Sequence, residues 1–118
     1  MKPSRISGRK LNDYLRRKGK VWKGSTMTIK WLRGPPKHPN INPEKSAVYI
    51  GTAASVKLDK SAVRRNRMRR RCKEAFRRTL KDHKKLPTIQ LLLSPRAASL
   101  DCDFKDILRD VDSFLSQV

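Results

Sequence analysis

The chain has 118 residues, with 30 Lys plus Arg against 10 Asp plus Glu and a formal charge of +20. That length suits one domain over residues 1–118 with a single small core, because two compact domains could hardly each bury enough surface. So large a like-charge excess is retained where a polyanion neutralises it, which excludes indifference to nucleic acid and leaves RNA, DNA or an anionic membrane as partners.

The start, Met1-Lys2-Pro3-Ser4-Arg5, is basic but no apolar segment follows, so no secretory signal is expected. Residues 5–18 follow with helical spacing of Ile6, Leu11, Tyr14 and Leu15, Ser7 as a candidate N-cap and Gly19 as a stop. Residues 20–33 change period. Met27, Ile29 and Trp31 alternate with Thr28 and Lys30, as a strand requires, and Trp22 sits on an earlier turn or strand. Residues 34–45 are rich in Pro and Gly and read as a long exposed connection. The next strand, residues 46–55, centres on Ala47-Val48-Tyr49-Ile50.

Residues 61–82 carry the longest helical pattern, with Met68, Cys72, Ala75, Phe76 and Thr79 on one face. Pro87 permits a stop, and Thr88–Ser94 reads as a central strand with a continuous apolar run at Leu91-Leu92-Leu93. Residues 103–117 form a last amphipathic helix capped by Asp101 or Asp103. Its acids Asp106, Asp110 and Asp112 are expected to face water, away from the polyanion. The order read from the residues is α-β-β-α-β-α, an α+β sandwich on one sheet. No apolar run approaches the ~20 residues that span a bilayer, so no membrane partner is expected. Cys72 and Cys102 make no disulfide framework, and a reducing cytoplasm with no disulfide-linked partner is the expectation. With His38 and His83 as the only histidines, both read as surface residues, no metal site is expected in the protein.

The basic segment is the informative one. Eleven of the 22 residues from Lys57 to Arg78 are Lys or Arg, and six arginines stand among the eight from Arg64 to Arg71. The planar guanidinium suits phosphate, and no matching acids neutralise the run. Helical phase puts Arg70, Arg71, Arg77 and Arg78 outward. Arg65 and Arg69 fall near the Cys72 and Phe76 side, so they should line a groove toward the sheet, since charge does not enter an apolar core unpaired.

The segment from Ser55 to Arg71, with Arg65-Asn66-Arg67 at its centre, closely resembles the Arg-Asn-Arg signature of the bacterial ribonuclease P protein subunit. Lys73-Glu74-Ala75-Phe76-Arg77, the Leu11/Tyr14/Leu15 helix with Gly19-Lys20, the Leu91–Ala98 segment and the Phe104–Leu115 helix resemble the same family. The resemblance implies an α-β-β-β-α-β-α sandwich with a left-handed βαβ crossover, similar to one domain of a small-subunit ribosomal protein. It adds a fourth strand near Val21–Ser25. It implies a non-catalytic subunit of an endoribonuclease whose catalyst is RNA, removing the 5′ leader from precursor tRNA. The partners implied are the catalytic RNA and the precursor with its leader. The protein holds no cofactor of its own, and it supports substrate recognition and the binding of the magnesium that the holoenzyme uses. Carried over residue by residue, the RNA contacts are Arg65, Asn66, Arg67, Arg69, Arg70 and Lys73, flanked by Lys57, Lys60 and Arg64. A leader cleft would use Leu11, Tyr14, Trp31 and Tyr49, with bases stacked on aromatics. Ordinary core packing competes for Tyr14, Trp31 and Tyr49. The family usually has an aromatic residue just after the position of Gly51, where this chain has Thr52-Ala53-Ala54.

The alternative is a ribosomal or other structural RNA-binding protein, which needs basic surface but not the Arg-Asn-Arg helix. No helix-turn-helix, zinc finger or minor-groove wedge supports a DNA-binding architectural protein. No carboxylate cluster or Ser/His/Asp set supports a stand-alone nuclease.

Overall fold

The computed structural model describes residues 9–35, 48–83 and 86–118, together with the backbone of residues 3–5. The expectations for Ser7, His38, the Pro-rich connection from Pro36 onward and the strand start at Ser46 lie outside the described residues.

The chain opens on a strand that reaches Arg5, where helix was expected to begin. Pro3–Arg5 form β1, paired in parallel with β4, Val48–Thr52. Proline holds an extended backbone and lacks an amide to donate, which an edge strand tolerates. Helix α1 then spans Arg9–Lys18. Gly19 donates its amide to the Leu15 carbonyl at 2.9 Å, and a Cβ there would lie 2.5 Å from that same oxygen. The chain therefore turns directly into β2, Lys20–Lys23, the additional strand that the resemblance implied. β2 pairs antiparallel with β3, Met27–Arg33.

The turn between them corrects one expectation. Asp110 does not simply face water. Its carboxylate accepts from the Thr26 amide at 2.8 Å and the Thr26 hydroxyl at 2.6 Å, so it anchors the β2–β3 turn to the last helix. A carboxylate receiving two such donors is held far better than a free surface acid.

Helix α2 spans Ala62–Lys81, with Ser61 as N-cap. Strand β5, Ile89–Pro95, follows, then a short 3-10 turn at Ala97–Leu100 and helix α3, Phe104–Leu115, capped by Asp103. The five strands lie in the order β1-β4-β5-β3-β2. β4 and β5 are parallel neighbours, so α2 is the crossover between them, while β3 joins β5 antiparallel.

Period-two alternation gives the sheet two unequal faces. Met27, Ile29, Val48, Ile50, Ile89, Leu91 and Leu93 pack against Phe76, Ile107 and Phe114 of α2 and α3. On the other face only Leu15 of α1 joins Tyr49 and Leu92 in a small buried cluster, with Leu11, Leu32 and Ala53 around it. One helix cannot cover a five-stranded sheet, so this second face keeps open clefts on both flanks of α1.

Candidate nucleic-acid interface

The loop from Ala53 to Lys60 and the first turns of α2 are held by their own charges. Asp59 accepts from the Ser61 amide at 2.8 Å and pairs with Arg64 Nε at 3.1 Å. Arg65 donates to the carbonyls of Asp59 at 2.8 Å and Lys60 at 3.1 Å. Arg65 thus ties the loop to the helix and does not line the groove expected of it. Its phase is right, but the loop carbonyls lie nearer than the groove and take the guanidinium first.

Arg69 does line the groove. It donates to Asn66 Oδ1 at 2.9 Å and to the Ala54 carbonyl at 3.2 Å, while its Nε–H is buried without a partner. The cleft it enters is about 460 Å³ and lies between α1, the β4–α2 loop and the end of β5. Asn12 and Arg16 of α1, Thr52 and Ser55, and Ser94 complete its polar wall. Asn12 Oδ1 is a second buried atom without a partner. A donor and an acceptor left open in one polar cleft, beside a second arginine, suit a phosphodiester and its nucleoside.

Outside this cleft, Asn66, Arg69, Arg70 and Lys73 share a shallow surface groove with Val63. Lys57, Lys60, Arg67, Arg70 and Lys73 are exposed. No acid occupies the first turn of α2, and Asp59 just ahead of it supplies the carboxylate at the helix's positive end, paired with Arg64.

Arg71 is the clear departure from the expected outward set. Its guanidinium donates to the carbonyls of Ser99 at 2.7 Å, Leu100 at 2.9 Å and Cys102 at 2.6 Å. It closes the end of the 3-10 turn, where carbonyls lack amide partners. Arg77 and Arg78 both donate to Glu74, which holds its carboxyl down at about 2. Arg78 also lies over the Phe104 ring, 5.0 Å from its centre.

The four residues expected to form an aromatic leader cleft do not come together. Trp31 belongs to the opposite face, edge-on to Phe114 at 5.8 Å between ring centres, because strand alternation carries it with Met27 and Ile29. Lys20 Nζ sits 5.1 Å from its ring centre. Tyr49 is only 6% exposed and packs beneath α1 with Leu15 and Leu92, so its ring offers no free stacking surface. Leu11 and Tyr14 do meet, in the cleft on the other flank of α1. The sequence reading missed Asn12 and Arg16. Their spacing of four on α1, beside the buried Leu15, was the available signal.

His83 closes α2 and lies 3.8 Å from Asp112. Burial pushes the Cys72 thiol up to about 12 and raises Cys102, so neither supplies a thiolate near neutral pH.

These features define an RNA-binding α+β sandwich with one crossover helix loaded with arginine. The "Ribonuclease P" family model matches residues 1–118, and the chain belongs to the ribonuclease P protein family. A curated relative, the ribonuclease P protein component of Prochlorococcus marinus (strain MIT 9515), is 29% identical over 111 residues, covering 91% of this chain and 84% of its own. The Staphylococcus aureus RNase P protein structure superposes with a TM-score of 0.71 at 21% identity, covering 98% of this chain and 95% of that one. The Thermotoga maritima RNase P protein superposes with a TM-score of 0.74 at 18% identity, covering 98% and 97%.

Proposed function

We propose that this chain works as the non-catalytic partner in ribonuclease P, binding the RNA subunit and the 5′ leader of precursor tRNA while the RNA performs the hydrolysis. One observation carries the reading. The polar cleft under Arg69 opens beside the exposed basic groove of Arg70 and Lys73, so one strand and a second RNA surface can meet along the same helix. Arg16 and Arg69 receive leader phosphate. Asn12 and the Ser and Thr hydroxyls receive the nucleoside by hydrogen bonding, in place of the aromatic stacking expected from the sequence. The family membership favours this reading over a ribosomal role.

Lys57, Lys60, Arg64, Arg67, Arg70 and Lys73 contact the RNA subunit in this reading, with Arg65 and Asn66 as the residues that shape the surface. Among the described residues no three His, Cys, Asp or Glu side chains converge to hold a metal ion. We assign the magnesium of the holoenzyme to the RNA, with the protein supporting its binding. The cytoplasm, where precursor tRNA is processed, is the proposed location.

The test is reconstitution with a bacterial ribonuclease P RNA at low magnesium. The complex should cleave precursor at the mature 5′ end, and the protein alone should leave the leader attached. With about six phosphates engaged, log K should fall against log salt at a slope of roughly −4 to −5. Site-specific cleavage by RNA-free protein that a single substitution abolishes would sink the assignment.

A further inference from the structure

The cleft on the other flank of α1 has a composition unlike that of the Arg69 cleft. It is about 410 Å³, floored by Leu11 and Leu32 and flanked by Lys10 and Arg33. Tyr14 stands at its wall with 40% of its surface exposed, high for a large hydrophobic residue. Gln90 comes into it from near the start of β5 and is only 5% exposed.

Gln90 is the unusual member. Its Nε2 donates to the Pro35 carbonyl at 3.4 Å, which fixes which end of the amide carries the oxygen. Its Oε1 is buried without a partner. A buried acceptor left open in a central strand costs stability, and a site that keeps one is built to receive a donor. The donor must arrive on a flat apolar body, given the Leu and Tyr surfaces, and must carry negative charge, given Lys10 and Arg33. A nucleotide has all three properties.

We propose that this cleft binds one unpaired RNA nucleotide bearing the N6 amine of adenine or the N4 amine of cytosine, with Tyr14 as the stacking surface and Gln90 Oε1 as the acceptor that reads that amine. Uracil presents a carbonyl where cytosine presents its amine, and guanine one where adenine presents its own, so at that position each meets Gln90 Oε1 acceptor against acceptor and binds more weakly. Lys10 and Arg33 take the flanking phosphates. The inference rests on the RNA-binding reading above and adds to it a base preference, seated apart from the Arg69 cleft.

The first measurement uses the full chain and labelled short oligouridylates carrying one central adenine, cytosine, unsubstituted purine or uracil. Adenine and cytosine should bind about three- to tenfold tighter than uracil or purine, the range of one net hydrogen bond. Gln90→Met should erase the difference. Tyr14→Ala, at an exposed position, should weaken all four by about tenfold. If Gln90→Met does not fold, the adenine–purine comparison on the unaltered protein decides. Equal binding of adenine, purine and uracil, or discrimination that survives Gln90→Met, overturns the proposal.

The second measurement locates the nucleotide in the assembled holoenzyme. Precursors with an all-uridine leader receive a single adenine at successive positions. A preference at one position, lost in Gln90→Met, places the nucleotide in the leader. An assembly defect of Gln90→Met with no leader preference places it in the RNA subunit. Reconstitution that gives no enhancement of cleavage counts against the ribonuclease P reading, whatever the oligonucleotides show.

Discussion

The N-terminal half of α2, Ala62 to Arg70, and the C-terminal half, Arg71 to Lys81, carry five basic residues each. In the first half Arg67 and Arg70 have no ion pair among the described residues, and Arg69 keeps a buried N–H open to a cleft. In the second half Arg71 is taken up by three carbonyls, and Arg77 and Arg78 by Glu74. The same charge density therefore does two things. Arg67, Arg69 and Arg70, with Lys73 one turn on, offer cations to an outside anion, while Arg64 and Arg65 hold the preceding loop, Arg71 and Arg78 join α2 to the 3-10 turn and α3, and Arg77 is held by Glu74 within the helix. Charge count does not separate the halves. What each arginine meets within the fold does.

The largest effect should come from Arg71→Leu. Three carbonyls near the start of α3 would lose a charged donor, two of them on the buried residues Ser99 and Leu100. A loss of about 3 kcal/mol is expected. That lowers the unfolding midpoint by about 10 °C or more for a domain of this size, read by thermal melting. RNA affinity of the folded protein should hardly move. Weakened RNA binding with unchanged melting would place Arg71 among the cations open to RNA.

Next comes the pair Arg69→Ala and Arg70→Ala. The first removes the cleft arginine and should weaken leader-bearing precursor more than mature tRNA in the assembled complex. The second removes an outer cation and should weaken assembly without separating the two tRNAs. Each should reduce the salt slope by about 0.7 to 0.9. Identical patterns would mean that this half of the helix has a single functional face.

How far the sequence reached follows the same division. Helix α2 was legible nearly to the residue, because Ser61 caps it and its apolar spacing is regular. Strand β5 and α3 were legible for the same reason. The groove position of Arg69 was legible from helical phase alone. Arg71 was not, since its partners are carbonyls of a turn some 28 to 31 residues away, and backbone acceptors leave no trace in composition. Asp110 escaped similarly, paired across 84 residues with Thr26. Trp31 was misplaced although the signal was present. Its alternation with Met27 and Ile29 already put it on the α3 side. Strand β1 was missed because three residues carry no period of their own, and only the free edge of β4 makes them a strand.

The smallest effect should come from Glu74→Gln, which tests the comparison from the opposite side. Glu74 accepts from Arg77 and Arg78, and those hydrogen bonds, with the guanidinium charges behind them, hold its carboxyl at about 2, well below the ordinary 4.5. A depressed carboxyl contributes stability that is present above about 4.5 and is lost as pH falls through about 2. The unaltered protein's small advantage over the variant should be fullest above about 4.5, shrink as pH falls between those limits and vanish below about 2. At neutral pH the stability difference should be small, because the group is solvent-screened. The RNA consequence is more telling. Losing the carboxylate would release two guanidiniums, and each that finds a phosphate should steepen the salt slope by roughly 0.7 to 0.9. A steeper slope would mean that Arg77 and Arg78 are silent because Glu74 neutralises them. An unchanged slope would mean that Arg77 and Arg78 face away from RNA altogether, and that position on the fold, more than pairing, separates them from Arg70 and Lys73.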